Sequence, residues 1–149
     1  MSLQITKQAD YAMRALVFIG RLGPGKQAPS NVIAEEMHMS RMFLSRINSQ
    51  LSNAGLINTR RGARGGIMLA KAPSEISVYD VLVAIDGPVE LMHCTQNPDD
   101  CTLSDCCPLR SFWLETQEVL IKHMQDTSIQ DLLDREAAAK AAKEAIAAA

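Results

Sequence analysis

The sequence predicts a mainly α-helical protein carrying one small β-hairpin, and three observations predict it. Apolar residues recur every three or four positions over most of the 149 residues, the spacing of helices with one buried face. That rhythm breaks at two short strand-like runs joined through Gly62-Ala63-Arg64-Gly65-Gly66. Residues suited to starting and stopping helices, Thr6, Ser40 and Gly55 among them, stand at segment ends.

From Thr6 to Leu22, Ala9, Met13, Leu16, Val17 and Ile19/Gly20 mark one helical face, with Thr6 as N-cap and Gly23-Pro24-Gly25 as the stop. Pro29-Ser30 opens a second helix over Asn31 to Met37, with Val32, Ile33 and Ala34 inward and Glu35-Glu36 outward. After a break at His38-Met39, Ser40 caps a third helix whose Phe43, Leu44, Ile47, Leu51 and Ala54 keep helical spacing up to Gly55. Two short helices joined by a tight turn form a helix-turn-helix. Leu56 to Arg61 and Ile67 to Ala70 then read as a hairpin. A hairpin directly behind the second helix of such a pair makes a winged helix-turn-helix.

Pro73 closes that unit, and Ser77 to Ile85 forms a fourth helix ended by Gly87-Pro88. Residues 89–107 are a loop rich in Asn, Asp, Pro and Thr. Pro108 to Gln125 is a long amphipathic helix with Leu109, Phe112/Trp113, Thr116, Leu120 and Met124 on its apolar stripe. Such a helix at the end of a small DNA-binding unit usually pairs with its copy in a second subunit. Ser128 to Arg135 is a further short helix, and the Ala-rich tail from Glu136 to Ala149 reads as a frayed helical extension with no site in it. The expected division is therefore 1–88 for the winged helix-turn-helix, 89–107 for the cysteine loop, 108–135 for the dimerisation helix with its short follower, and 136–149 for the tail.

Charge divides along the same line. Residues 1–71 carry ten Lys and Arg against three acids, a net +7, whereas residues 72–149 carry five bases against fourteen acids, a net −9. A polyanion is drawn to the first half and repelled by the second. No run approaches the ~20 apolar residues that cross a bilayer, and the start, MSLQITKQADYAMR, lacks the order of a secretory signal. A cytoplasmic address is expected, where thiols stay reduced.

All four cysteines fall in one fourteen-residue window, Cys94-x6-Cys101-x4-Cys106-Cys107. Thiols confined to one loop suggest a metal or cluster site rather than scattered disulfides. Zinc sites usually present ligands two to four residues apart, a pattern missing here. Wider spacing in a loop free to wrap suits a larger inorganic cluster, and leaves zinc and a thiol–disulfide switch as alternatives. An enzyme is not expected. There is no C-x-x-C on a strand-to-helix turn, and Glu, Asp and His form no recognisable catalytic constellation.

The segments TKQADYAMRAL, LSNAGLINTRRGARGGIMLAKAPSEISVYDVLVAIDGPVEL and CPLRSFW, with the cysteine loop before the last, closely resemble the Rrf-two family of bacterial winged-helix transcription regulators. The likeness covers about residues 1–135, and its most specific parts are the G-x-R-G-G wing and the cysteines ahead of C-x-L-R-x-x-W. The resemblance implies a homodimeric regulator of the repressor kind, bound to a pseudo-palindromic double-stranded DNA operator. It also implies an iron–sulfur cluster, 4Fe–4S in the first instance and 2Fe–2S as the alternative, held by three loop cysteines. Counted back from Trp113, these are Cys107, Cys101 and Cys94, with Cys106 as a bystander or as the ligand in a register shifted by one. One branch of the family places a histidine three residues past the last cysteine, where this chain has Arg110. Another uses an aspartate near the start of helix one, supplied by the second subunit, and here that position is Asp10. His93 is a lesser candidate. A cluster-free regulator that senses thiol state is the alternative within the same fold.

For DNA, the first two turns of the third helix offer Ser40, Arg41, Met42, Phe43, Ser45 and Arg46 to the major groove. Arg41 and Arg46 are the candidates for bidentate contact to guanine. Arg60, Arg61 and Arg64 in the wing are expected to hold phosphates or enter the minor groove.

Overall fold

Helix α1 (Lys7–Arg21) begins as its sequence requires: the Thr6 side chain accepts from the Ala9 N–H at 3.1 Å. The Thr6 hydroxyl in turn donates to the Asp86 carboxylate at 2.8 Å, fastening the start of α1 to the end of a later helix. The computed structural model describes residues 4–149. Ala9, Ala12, Ala15, Leu16 and Ile19 form the buried face of α1. Its three alanines carry no side chain long enough to hold neighbouring helices away.

α2 (Ser30–Glu36) and α3 (Arg41–Asn53) follow. The turn between them passes through His38 at φ +52°, a left-handed conformation uncommon for a non-glycine residue. Ser40 caps α3 by accepting from the Phe43 N–H at 3.2 Å, and Gly55 beyond its end takes φ +70°. Ile33 and Ala34 of α2 are buried, but Val32 lies at the surface, contrary to the inward position expected for it.

Strands β1 (Ile57–Arg60) and β2 (Gly66–Leu69) pair antiparallel, with Ile57 opposite Leu69 and Arg60 opposite Gly66. Ala28 adds a bridge on the far side of β2, exchanging both backbone bonds with Ile67 at 3.0 and 2.8 Å. The wing is thus tied at its base to the segment before α2. Gly65 and Gly66 are required by this packing. A Cβ on Gly65 would stand 2.3 Å from the Arg60 carbonyl oxygen, and one on Gly66 would stand 2.8 Å from that of Ala28.

After a short 3-10 turn at Pro73–Glu75, α4 (Val78–Asp86) starts at Ser77 through a reciprocal cap with Asp80. The segment 89–107 is not wholly irregular: it holds one turn of helix, α5 (His93–Gln96), and 3-10 turns at Pro98–Asp100 and Ser104–Cys106. α6 spans Pro108–Gln125, the bounds expected for it.

α7 departs from expectation. It runs unbroken from Ile129 to Ala147, so the short helix and the Ala-rich tail are one element. Ser128 caps it reciprocally with Asp131, and Ile129 is fully buried while Leu132 and Leu133 pack on the core. Arg21 of α1 then reaches Glu136 with both Nε (2.9 Å) and Nη2 (2.5 Å). Packing on α1 carries the helix past residue 135, and alanine's helix propensity carries it on from there.

One core results. Leu16, Ile33, Leu44, Ile47, Leu51, Ile57, Ile67, Ile76, Val81 and Ile129 are its largest fully buried side chains. α1 lies at its centre and touches α3, α4, α7 and β2.

Candidate nucleic-acid interface and cysteine loop

The outer face of α3 is polar at helical spacing, with Arg41, Ser45, Asn48, Ser49 and Ser52 facing away from the buried Leu44, Ile47 and Leu51. With Ser30, Thr59 and Arg61 these residues line a cleft of about 590 Å³ between α3 and the wing. A second cleft, about 420 Å³, extends it along the wing past Arg60, Gly62 and Gly66, and shares Ser30 and Arg41 with the first. Asn48, Ser49 and Ser52 were missed as candidates, although their spacing from Ser45 was readable in the sequence.

Charge pairing sorts the arginines. Arg14 is paired with Asp10 at 2.8 Å and Arg21 with Glu136. Among the described residues, none of Arg41, Arg46, Arg60, Arg61 or Arg64 has an acidic partner in an ion pair, and all five are exposed. An arginine without an internal partner meets phosphate without first breaking an ion pair. Arg64 is positioned through its backbone, since its carbonyl accepts from Gln27 Nε2 at 2.6 Å. Met42 is almost fully exposed beside Arg41. Phe43 is half-buried: its ring packs edge-to-face on Tyr11 at a centroid distance of 5.8 Å and against the core, which engages part of the side chain expected at the groove.

The cysteine loop lies on the first half of α6. Cys94 is in α5, Cys101 follows the first 3-10 turn, Cys106 ends the second, and Cys107 is the N-cap residue of α6. All four are free thiols; Cys106 is exposed and the other three are half-buried. The front of the loop is fastened to α6. Arg110 Nε donates to the Cys94 carbonyl at 3.0 Å, and the Gln117 amide oxygen accepts from the Leu91 N–H at 3.1 Å. Buried Thr95 donates its hydroxyl to the Met92 carbonyl at 2.7 Å and lies 3.1 Å from the same Gln117 oxygen.

Soft, free thiols in one segment are the donor set an iron–sulfur cluster takes. A single chain does not gather them: among the described residues no three His, Cys, Asp or Glu side chains converge as a metal site. Asp10 is engaged within its own helix by Arg14. His93 sits between Asp100 (2.8 Å) and Glu90 (3.4 Å). Its hydrogen bond to Asp100 and the charge of these carboxylates raise its pKa above the ordinary histidine value.

A helix-turn-helix with a wing and a face of unpaired arginines defines a winged-helix DNA-binding regulator. The chain belongs to the Rrf2 (Rrf-two) family, whose model, described as an iron-dependent transcriptional regulator, matches residues 5–135. It is accordingly a transcription regulator and not an enzyme. It is 32% identical over 133 residues to the HTH-type transcriptional regulator NsrR of Geobacillus kaustophilus, covering 89% of this chain and 90% of that protein. The NsrR of Halalkalibacterium halodurans is 29% identical over 135 residues, with 90% and 92% covered. Among solved structures, the global cysteine regulator CymR of B. subtilis superposes with a TM-score of 0.72 at 23% identity, covering 90% of this chain and 98% of that one. T. potens IscR gives 0.72 at 21%, with 91% and 90% covered. No helix among the described residues is long and apolar enough to cross a membrane.

Proposed function

We propose that this regulator is a homodimeric repressor whose affinity for a pseudo-palindromic operator is set by an iron–sulfur cluster, 4Fe–4S in preference to 2Fe–2S. Residues 1–88 contact DNA, residues 89–107 hold the cluster, and within residues 108–135 the long helix α6 carries the dimer interface while the helix after it packs on its own chain. Cys94, Cys101 and Cys107 supply thiolates, and Asp10 from the second subunit supplies a weaker oxygen ligand. A cluster so held would have one iron bound through a weaker, displaceable oxygen ligand and so accessible to an incoming signal. The observation that carries this reading is four free thiols in one segment whose front is fastened to α6, a helix that leaves large apolar side chains exposed. On α6, Leu109 is 62% exposed, Phe112 53% and Val119 70%, an apolar face that calls for a second copy. Two-fold pairing through α6 places two recognition helices on half-sites about one DNA turn apart.

Oxygen-free purification followed by native mass spectrometry tests this. The expected species is a coloured dimer with one cluster per chain. Cys94→Ala, Cys101→Ala and Cys107→Ala should each lose the colour, and Cys106→Ala should keep it. If Cys106→Ala loses colour and Cys107→Ala retains it, the ligand register moves by one.

Cys106, exposed beside half-buried Cys107, favours a second reading, a cluster-free regulator that senses thiol oxidation. It predicts a colourless protein whose DNA affinity changes reversibly with oxidant and reductant.

A further inference from the structure

Two of the proposed ligands are not independent in the fold. Cys107 is the N-cap residue of α6, and its carbonyl accepts from the Arg110 N–H at 3.2 Å. The same residue's side chain donates from Nε to the carbonyl of Cys94, sixteen positions earlier in the chain. One residue therefore bonds the backbone at both ends of the cysteine segment. Gln117, seven positions on and so on the same helix face, holds Leu91 and Thr95. Cys101 and Cys106 have no such tie. Their turns close on local backbone bonds, Cys101 N–H to Pro98 and Cys106 N–H to Leu103.

We infer that Arg110 is a positioning residue that sets Cys94 in register with Cys107 before any cluster arrives. This rests on the reading of those two cysteines as ligands. The residue type suits the task. Guanidinium keeps its charge at every pH the protein meets, and a charge-assisted bond to a carbonyl is stronger than a neutral one. Its half-buried position in the first turn of α6, facing Cys94, removes part of the competition from water. With the two end thiols preset, assembly has only to draw in the segment that carries Cys101, so less ordering remains to be done when iron binds. Arg110 holds the backbone of the site and is not itself a ligand.

The test uses the full-length, reduced, cluster-free protein and two variants. Arg110→Met keeps the aliphatic stem and loses the donor; Arg110→Lys keeps one charged donor. Per-residue alkylation by iodoacetamide and amide hydrogen exchange over residues 91–97 are measured, with Cys106 and α3 as internal references. In Arg110→Met the Cys94 alkylation rate and the local exchange should rise about threefold to tenfold over those references, the size expected for a partly exposed charged hydrogen bond. Arg110→Lys should recover part of the protection. After cluster reconstitution, Arg110→Met should lose its colour to a chelator faster by a similar factor. Unchanged Cys94 alkylation in Arg110→Met overturns the inference. So does faster alkylation with unchanged colour loss, because the bond would then be structural only. If the parent protein takes up no cluster, the proposed function falls, and the alkylation ratio still decides whether Arg110 sets Cys94.

Discussion

The DNA-binding unit and the cysteine segment with α6 are built on different physical terms. From Thr6 to Asp86 each long helix has its cap, the hairpin is bridged at its base, and ten large side chains drawn from this unit and α7 are sealed from solvent. From Val89 to Gln125 only Thr95 is buried, and the eighteen-residue α6 has no side chain fully sealed from solvent, its best covered ones, such as Met124, being half-buried. The first region has its stabilising contacts inside one chain. The second has a few hydrogen bonds from Arg110 and Gln117 and the packing of Met124, and in the proposed function a second subunit and a cluster add the rest. In the proposed function the sensing half is then the conditional half, as a switch requires.

Truncations to alanine in the two regions should show that contrast most strongly. Ile47→Ala removes a fully buried side chain at the centre of the core and should cost ~2–5 kcal/mol of unfolding free energy. Val119→Ala on the exposed face of α6 should change single-chain stability by under ~0.5 kcal/mol, yet weaken dimerisation in sedimentation equilibrium. Chemical denaturation at concentrations where the chain is monomeric separates the two. Equal losses would erase the distinction between the regions.

Within the DNA-binding unit, the unpaired arginines should divide by role. Arg46→Ala on α3 should cost ~1–3 kcal/mol of discrimination between operator and mismatched DNA. Arg61→Ala in the wing should weaken binding to all sequences alike and reduce the salt slope by about 0.9 per lost phosphate contact. Fluorescence anisotropy over a salt series reads both. Binding indifferent to salt would remove the wing from the interface.

These roles were legible to different degrees. The helix-turn-helix, the hairpin and the bounds of α6 followed from caps and apolar spacing, because each is a local rule acting on neighbouring residues. The spacing of Phe43 suits either the core or the groove, and its contact with the Tyr11 ring, distant in sequence, left no mark in the pattern. The bridge from Ala28 to Ile67 and the hold of Arg110 on Cys94 leave no pattern in either segment. The cysteine window announced a thiol site, but its first attachment to α6 depends on side chains sixteen and twenty-two residues away from their partners. The unbroken course of α7 was hidden by its composition, since alanine marks helix propensity and not what a helix leans on.

Asp10 connects the two regions in the proposed mechanism. Its carboxylate is bonded to Arg14 at 2.8 Å, so an iron contact has to displace or share that bond. Allosteric couplings of ~1–3 kcal/mol change affinity about 5–150-fold. Asp10→Ala should still assemble a cluster on three cysteines while losing most of the difference in DNA affinity between loaded and empty forms. Titration of both forms against one operator reads this, and an unchanged difference would leave a small molecule, water or His93 as the fourth ligand.

The smallest expected effect tests where the DNA-binding unit ends. Glu136 opens the Ala-rich stretch, yet it receives Arg21 through Nε and Nη2 and also Lys140 at 3.4 Å. Burial alone raises the pKa of its carboxyl, but the hydrogen bond and charge of Arg21, aided by Lys140, outweigh that and leave it below the ordinary glutamate value. A carboxyl with a depressed folded-state pKa contributes stability that is present above its unfolded pKa and is lost as pH falls through the folded one. Because the pair is partly exposed, its contribution should stay under ~1 kcal/mol. Glu136→Gln should therefore lower stability slightly at neutral pH, and the gap to the parent protein should close as the solution is acidified below the glutamate range. The gap should also narrow in high salt, where an exposed pair is screened. A gap independent of pH and salt would mean that α7 is held by Ile129, Leu132 and Leu133 alone, and that the unit ends where its apolar contacts end.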